Sequence, residues 1–373
     1  MESRRPPPVL LAIAMAGVQT AARADYALNL PPPATVIARQ IYDLHTLVLW
    51  ICGGIFLVVF VPMFWALWRH RKSRGHAPHP IHDHPLLEAA WTAAPFVVLI
   101  AMAIPTTRVV QAMKNTGASD MSIKVTGRQW KWEYEYLGQD IRFISNLATG
   151  QDAIANRAPK GEHYLLEVDR PLVVPTGKKI RLVLTAEDVI HAWWVPAFGV
   201  KQDAIPGFIR ESWFQVDQPG TYRGQCAELC GVGHAYMPIV VEALPPEQFA
   251  AWLEGQKTQL AAAKASAGKE YALADLVAQG EKVYLAHCAA CHQANGAGLP
   301  GTFPALDGSA LITGAKAAHL ERVFHGKAGT AMQAFGKQLS DLEIAAVVSY
   351  ERNTWHNKTG DGVQPSEVAA LRK

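Results

Sequence analysis

Charge is scarce in this chain and cysteine scarcer: 18% of its 373 residues are charged and five are cysteine. A net charge of +3 over this length makes no basic patch large enough to suggest nucleic acid as a partner. Disorder is excluded as well, because half the residues are apolar and a disordered chain needs low hydrophobicity with high net charge. At roughly 150 residues per domain the length predicts two or three units with real cores. Against the five cysteines stand 14 His, 11 Trp and 8 Met. That balance points to metal or cofactor ligation, and the cysteine positions decide between ligation and disulfides.

Residues 1–24 read as a secretory signal: Arg4 and Arg5 form a basic start, Val9 to Val18 an apolar stretch, and Ala22-Arg23-Ala24 a cleavage site. Leu47 to Trp68 then runs 22 residues without a charge, and Ala89 to Thr107 adds 19 more that are predominantly apolar. Each is long enough to cross a membrane as a helix. Gly53, Gly54, Pro62, Pro95 and Pro105 are common company in such spans. The expected unit is a helical hairpin over 42–108 with a loop at 69–84. That loop carries Arg69, Arg71, Lys72 and Arg74, which keeps it cytoplasmic and places both flanks outside. Its five histidines alternate with Pro and Gly and read as solvated. Everything after about Arg108 is then expected in the oxidising periplasm of a bacterial inner-membrane protein, while Cys52 is a small apolar residue in a span.

From 120 to 245 the text is that of a β-sandwich. Ile180, Leu182 and Leu184 alternate with Arg181, Val183 and Thr185, Trp130 to Tyr136 alternates aromatic with charged residues, and Pro-Gly turn signals recur. Its chemical core is Cys226-Ala-Glu-Leu-Cys230-Gly-Val-Gly-His234-Ala-Tyr-Met237, with His191 upstream in Asp188-Val-Ile-His. Two thiolates, two imidazoles and a thioether form a soft donor set that suits copper rather than calcium or magnesium. Gly231 and Gly233 let the loop curl so that the donors converge. A Cys226–Cys230 disulfide and a structural zinc are the competing readings; neither uses Met237.

The segment resembles the CuA domain of subunit II of haem–copper cytochrome c oxidases, and the likeness extends over both spans and the sandwich, which it makes cupredoxin-like. The resemblance implies a binuclear copper centre bridged by Cys226 and Cys230, capped by His191 and His234, with Met237 as a weak axial ligand. It gives the Glu228 carbonyl as the remaining ligand and its carboxylate to a magnesium ion shared with subunit I. It also implies that Trp130 is an electron entry point and that Glu88, in Glu-Ala-Ala-Trp91, lies at the mouth of a proton pathway. A packing role for Trp130 and a solvated anchor at Glu88 are the plain alternatives.

Pro245-Pro246 closes the sandwich, and 246–270 reads as a linker, with a short helical piece and then a semi-flexible Ala-rich tether from Gln259 to Gly268. Beyond it Cys288-Ala-Ala-Cys291-His292 is the attachment motif of covalent haem c, with His292 as proximal ligand. The adjacent His and the absence of a βαβ pattern disfavour a thioredoxin-like pair. Met332 is the expected second axial ligand, with His319, His325 and His356 as rivals. Helical spacing ahead of the motif and a capping box at Ser340-Asp-Leu-Glu343 make 271–373 resemble an all-α class I cytochrome c.

Together these parts resemble subunit II of a caa-type oxidase with a fused cytochrome c. The resemblance implies electron transfer from haem c to copper and on to subunit I, where oxygen is reduced to water and protons are pumped. The spans hold only His45 as a possible intramembrane haem ligand, so that chemistry belongs to subunit I. The implied partners are subunits I and III, membrane lipid, and a donor such as a bc1 complex or a soluble cytochrome c. The alternative is a membrane-anchored carrier serving a nitric or nitrous oxide reductase, and a copper or zinc chaperone is a third reading that leaves the haem motif unexplained.

Overall fold

The computed structural model describes residues 29–75, 83–266, 268–328, 330–336 and 338–372. The signal segment at 1–24 and the loop histidines His76, His79 and His82 lie outside them. Helices α1 (Val36–Arg69) and α2 (Pro85–Lys114) are the two long apolar helices, and helix continues through Pro62, Pro95 and Pro105. Their apolar side chains stay exposed, Trp50 at 77% and Leu99 at 63%, as lipid-facing residues should be.

Both helices run past the apolar windows, and the extra turns anchor the hairpin. The Thr35 side chain caps α1 by accepting from the Ala38 amide at 3.0 Å, and its hydroxyl donates to the Phe198 carbonyl at 2.8 Å. Ile37 and Ala38 are thereby buried against the sandwich. At the far end Trp213 Nε1 donates to the Ala112 carbonyl of α2 at 3.0 Å.

Ten strands form the sandwich: β1 (Met121–Arg128), β2 (Lys131–Tyr136), β3 (Ile141–Ser145), β4 (Leu172–Pro175), β5 (Ile180–Ala186), β6 (His191–Val195), β7 (Val200–Ala204), β8 (Arg210–Phe214), β9 (Gly220–Cys226) and β10 (Pro238–Leu244). They pair in two sheets, ordered β3-β2-β1-β5-β8 and β4-β10-β9-β6-β7. Ile180, Leu182 and Leu184 are fully buried between them, with Trp132, Tyr134 and Trp193 as the largest core side chains. Strand β2 departs from the expected alternation. Trp130 belongs to the turn before it, and the charged Lys131 and Glu133 are buried at 5% and 2% exposure. Glu133 tolerates this because Arg128 and Arg142 pair with it at 3.0 and 2.6 Å.

Helix α3 (Pro246–Ser266) corrects the semi-flexible spacer, since the helix continues to Ser266. Alanine is the strongest helix former, and Trp252 pins the start of the helix by packing its ring, tilted, against Tyr136 with centroids 5.4 Å apart. The C-terminal domain then packs α4 (Leu273–His287), α5 (Ala289–His292), α6 (Lys316–His325), α7 (Asp341–Asn353) and α8 (Pro365–Ala370) around a separate core that includes Leu276, Tyr284, Ile344 and Val348. The Ser340 hydroxyl and Glu343 carboxylate cap α7 reciprocally.

Candidate copper and haem sites

The end of β9, the first residue of β6 and the loop into β10 bring the soft donors together. The Cys226 and Cys230 sulfurs stand 3.9 Å apart, about twice the length of a disulfide bond. His191 Nδ1 lies 4.0 Å from the Cys226 sulfur, and His234 Nδ1 lies 3.5 Å from that of Cys230. Met237 Sδ lies 3.5 Å from the Cys230 sulfur, and the Glu228 carbonyl lies 3.4 Å from the Cys226 sulfur. Each of the other four residues named from the sequence thus stands within about 4 Å of one of the two cysteine sulfurs. His191, Cys226, Cys230 and Met237 are buried, while Glu228 and Leu229 reach the surface. This donor set fits copper, since five of its six donors are sulfur or imidazole nitrogen.

The electrostatics suit a cation. The Cys226 thiol is lowered to about 3, first by the hydrogen bond from Cys230 and then by His191, against the opposing effect of burial. The hydrogen bond that Cys230 gives to Cys226, with burial and the charge on Cys226, in turn pushes Cys230 up, so the pair gives up one proton readily and holds the second. Burial works against a charged His191, but the hydrogen bonds it donates to Asp188 and Cys226 outweigh it and raise the group.

Sequence reasoning missed the supports of these donors. Asp188 Oδ1 meets His191 Nε2 at 2.9 Å, which turns Nδ1 toward the sulfurs. The signal was present as an acidic residue three positions before the histidine. Gln129 Nε2 and Trp130 Nε1 both donate to the Cys230 carbonyl, at 2.9 and 3.1 Å. Trp130 is therefore a half-buried floor under the loop, and this explains the glycines more fully than curling does. Gly231 sits at φ +113°, and a Cβ on Gly233 would fall 2.1 Å from the Trp130 ring. Glu88 lies in the first turn of α2, exposed and remote in sequence from both sites.

The second site is a cavity of about 350 Å³. Cys288, Cys291, His292 and Met332 all line it. His292 donates from Nδ1 to the Pro304 carbonyl at 2.9 Å, which leaves Nε2 free for a metal. The Met332 carbonyl accepts from the Lys327 amide at 3.0 Å, and a Cβ on Gly326 would fall 2.6 Å from that oxygen. Burial pushes both cysteine thiols up. Of the rival ligands, His319 commits Nε2 to Glu351 at 2.7 Å and keeps a buried Nδ1 without a partner in the cavity wall. His325 packs edge-on to Phe324, and His356 is exposed beside Asp307. An apolar cavity walled by two cysteines, a metal-ready imidazole and a thioether fits a covalently held haem.

Comparison with known proteins gives the setting. Residues 121–244 match the family described as cytochrome c oxidase subunit II, periplasmic domain, and residues 23–109 its transmembrane domain. Residues 275–350 match the family described as cytochrome c oxidase, cbb3-type, subunit III. The cytochrome c oxidase subunit 2 of Cereibacter sphaeroides is 39% identical over 236 residues, 60% of this chain and 78% of that protein. This chain belongs to the cytochrome c oxidase subunit 2 family.

A probable subunit 2 from Rickettsia prowazekii is 34% identical over 227 residues, 61% of this chain and 71% of its own. The crystal structure of the periplasmic domain of subunit II of cytochrome oxidase from Bradyrhizobium japonicum is 43% identical, with a TM-score of 0.35, over 39% of this chain and 98% of that one. The chain is thus an oxidase subunit II with a fused cytochrome c domain, anchored by two apolar helices, and its domains imply copper and haem. Subunit I of the oxidase is its expected partner.

Proposed function

We propose that this chain is the electron-entry subunit of a caa-type oxidase in a bacterial inner membrane, taking electrons on its own haem c and handing them through a binuclear copper centre to subunit I. There oxygen is reduced to water with proton translocation. The convergence of six donors from Cys226, Glu228, Cys230, His191, His234 and Met237 carries the reading. Haem and copper supply one-electron chemistry when bound. The chain's part is to hold their ligands so that little moves on redox change.

Asp188 and Pro304 do this for the two imidazoles, each fixing one ring nitrogen so that the other faces the metal. Trp130, through the Cys230 carbonyl, stiffens the copper loop and is assigned the electron-entry role. The exposed carboxylate of Glu228 is assigned to magnesium shared with subunit I, and the exposed Leu229 and Val232 beside it suit contact with that subunit. Glu88, near the loop end of α2, is assigned to the mouth of a proton pathway. Units at 42–108, 120–245 and 271–373, joined by 246–270, follow from this reading. Subunit III, membrane lipid, and a bc1 complex or soluble cytochrome c are the further partners it calls for.

Metal counting with electron paramagnetic resonance on the purified protein tests it. Two coppers per chain sharing one unpaired electron are expected. A single copper, or zinc, would overturn the assignment, and co-purification with a nitric or nitrous oxide reductase in place of an oxidase subunit I would redirect it.

A further inference from the structure

The cavity of the C-terminal domain is not closed by that domain alone. Gln129, from the turn between β1 and β2, and Lys131, the first residue of β2, also line it. The ammonium of Lys131 lies over the Phe335 ring at 4.8 Å. Gln333, next in the chain after Met332, donates from Nε2 to the Gln129 carbonyl at 2.9 Å and stands 3.5 Å from Asp188 Oδ2. The same Oδ2 accepts from the Gln129 amide at 2.7 Å, while Oδ1 holds His191. Through its side chain Gln129 also grips the Cys230 carbonyl.

We propose that Gln333 is a positioning residue for an interdomain joint, seating the Met332 loop on the Gln129–Asp188 edge of the copper loop. One carboxamide reaches a main-chain carbonyl and a carboxylate that the sandwich has already fixed by other bonds. Ordering a side chain against immobile partners loses less entropy than ordering two mobile ones. Once half-buried, the contact resists breaking, because the Gln129 carbonyl and the Gln333 amide would lose their hydrogen bond to each other. The joint places the methionine loop one carboxylate away from the imidazole of His191. A tethered domain held this way works in one pose rather than by repeated encounter, so the helical tether α3 and the joint are two ends of one arrangement.

The inference rests on reading the cavity as a haem c site and the loop as a copper site. Haem and copper contents report that reading, whereas the joint has its own readouts. In the purified full-length protein, amide hydrogen exchange is followed over 127–131 and 330–336 for the parent, Gln333→Ala and Gln333→Glu. The glutamate sets a second carboxylate beside Asp188. Exchange in both segments should rise about tenfold or more in Gln333→Glu and less in Gln333→Ala, at unchanged haem and copper content. The hyperfine pattern of the copper signal should shift in parallel, because Asp188 orients His191. Equal exchange over 127–131 in all three proteins overturns the joint. Loss of copper or haem from Gln333→Ala also overturns it, since the residue then serves cofactor loading instead.

Discussion

The imidazoles of His191 and His234 and the thioether of Met237 each lie within about 4 Å of the Cys226 or Cys230 sulfur, whereas Cys288 and Cys291 sit on the wall of a cavity of about 350 Å³. The ionisation of the two pairs differs as sharply as their geometry. The sandwich pair keeps a thiolate, with Cys226 lowered to about 3 by its partner sulfur and by His191. Burial pushes Cys288 and Cys291 up, so they stay neutral thiols. A thiolate is what a metal ion binds, and losing the second proton on binding is part of the affinity. A thioether to a haem vinyl group leaves no charge on sulfur, and an apolar wall accommodates it. The chain thus builds an ion site by convergence and a site for a large planar group by enclosure.

Exchanging sulfur for oxygen breaks this comparison most severely. Cys226→Ser removes the thiolate that faces both His191 and Cys230. Copper should fall from two per chain to one or none, while haem stays at one per chain, by metal analysis and haem quantification of the same sample. Cys288→Ser should do the reverse and leave both coppers in place. If either change empties both sites, the two domains do not load independently and the contrast fails.

The methionines sharpen the comparison at smaller amplitude. A thioether raises the potential of a haem iron, so Met332→Ala should lower it by roughly 0.1–0.3 V, part of the ~0.8 V that axial ligands span. Met237→Leu should keep both coppers and shift their potential less, because the axial thioether of such sites is a long, weak bond. Redox titration followed optically reads both. A Met332→Ala potential equal to the parent's assigns the axial position to His319, whose Nδ1 is still unpartnered in the cavity wall.

Most of the donors were legible because their spacing is local. Cys226 to Met237 is a single loop, and Cys288 to His292 a single turn of helix. What fixes the donors is not local and carried little signal. Pro304 turns His292, Gln129 binds Cys230 across a sequence separation of 101 residues, and Gln333 reaches Gln129 across 204. Strand periodicity located the sandwich, since an apolar residue at every second position means a buried face whatever covers the other side. It failed at Lys131 and Glu133, where the presumed solvent face is covered. The Ala-rich tether failed for the opposite reason. Its composition reads as flexible, but alanine, once Trp252 anchors the start of the helix, continues it.

Lys131 gives the smallest and most diagnostic test, because the cytochrome domain covers it, with its ammonium over Phe335 in the cavity wall. Loss of hydration lowers its ammonium from 10.5 to about 8, and no carboxylate pairs with it among the described residues. Folding therefore works against a charged lysine by about 3 kcal/mol at neutral pH. Replacing the charge with an apolar chain of similar length, Lys131→Met, should stabilise the protein by about 1–3 kcal/mol at pH 7, read from the urea midpoint. Between about pH 8 and 10.5 the unfolded chain binds the proton that the folded chain has released, so the parent gains stability as pH rises. The advantage of the variant should shrink over that interval and vanish near its top. A variant less stable than the parent at pH 7, or a gap that widens above pH 8, means that an anion pairs with Lys131 in the loaded protein; a midpoint unchanged at every pH means that the lysine stands in water and the two domains are apart.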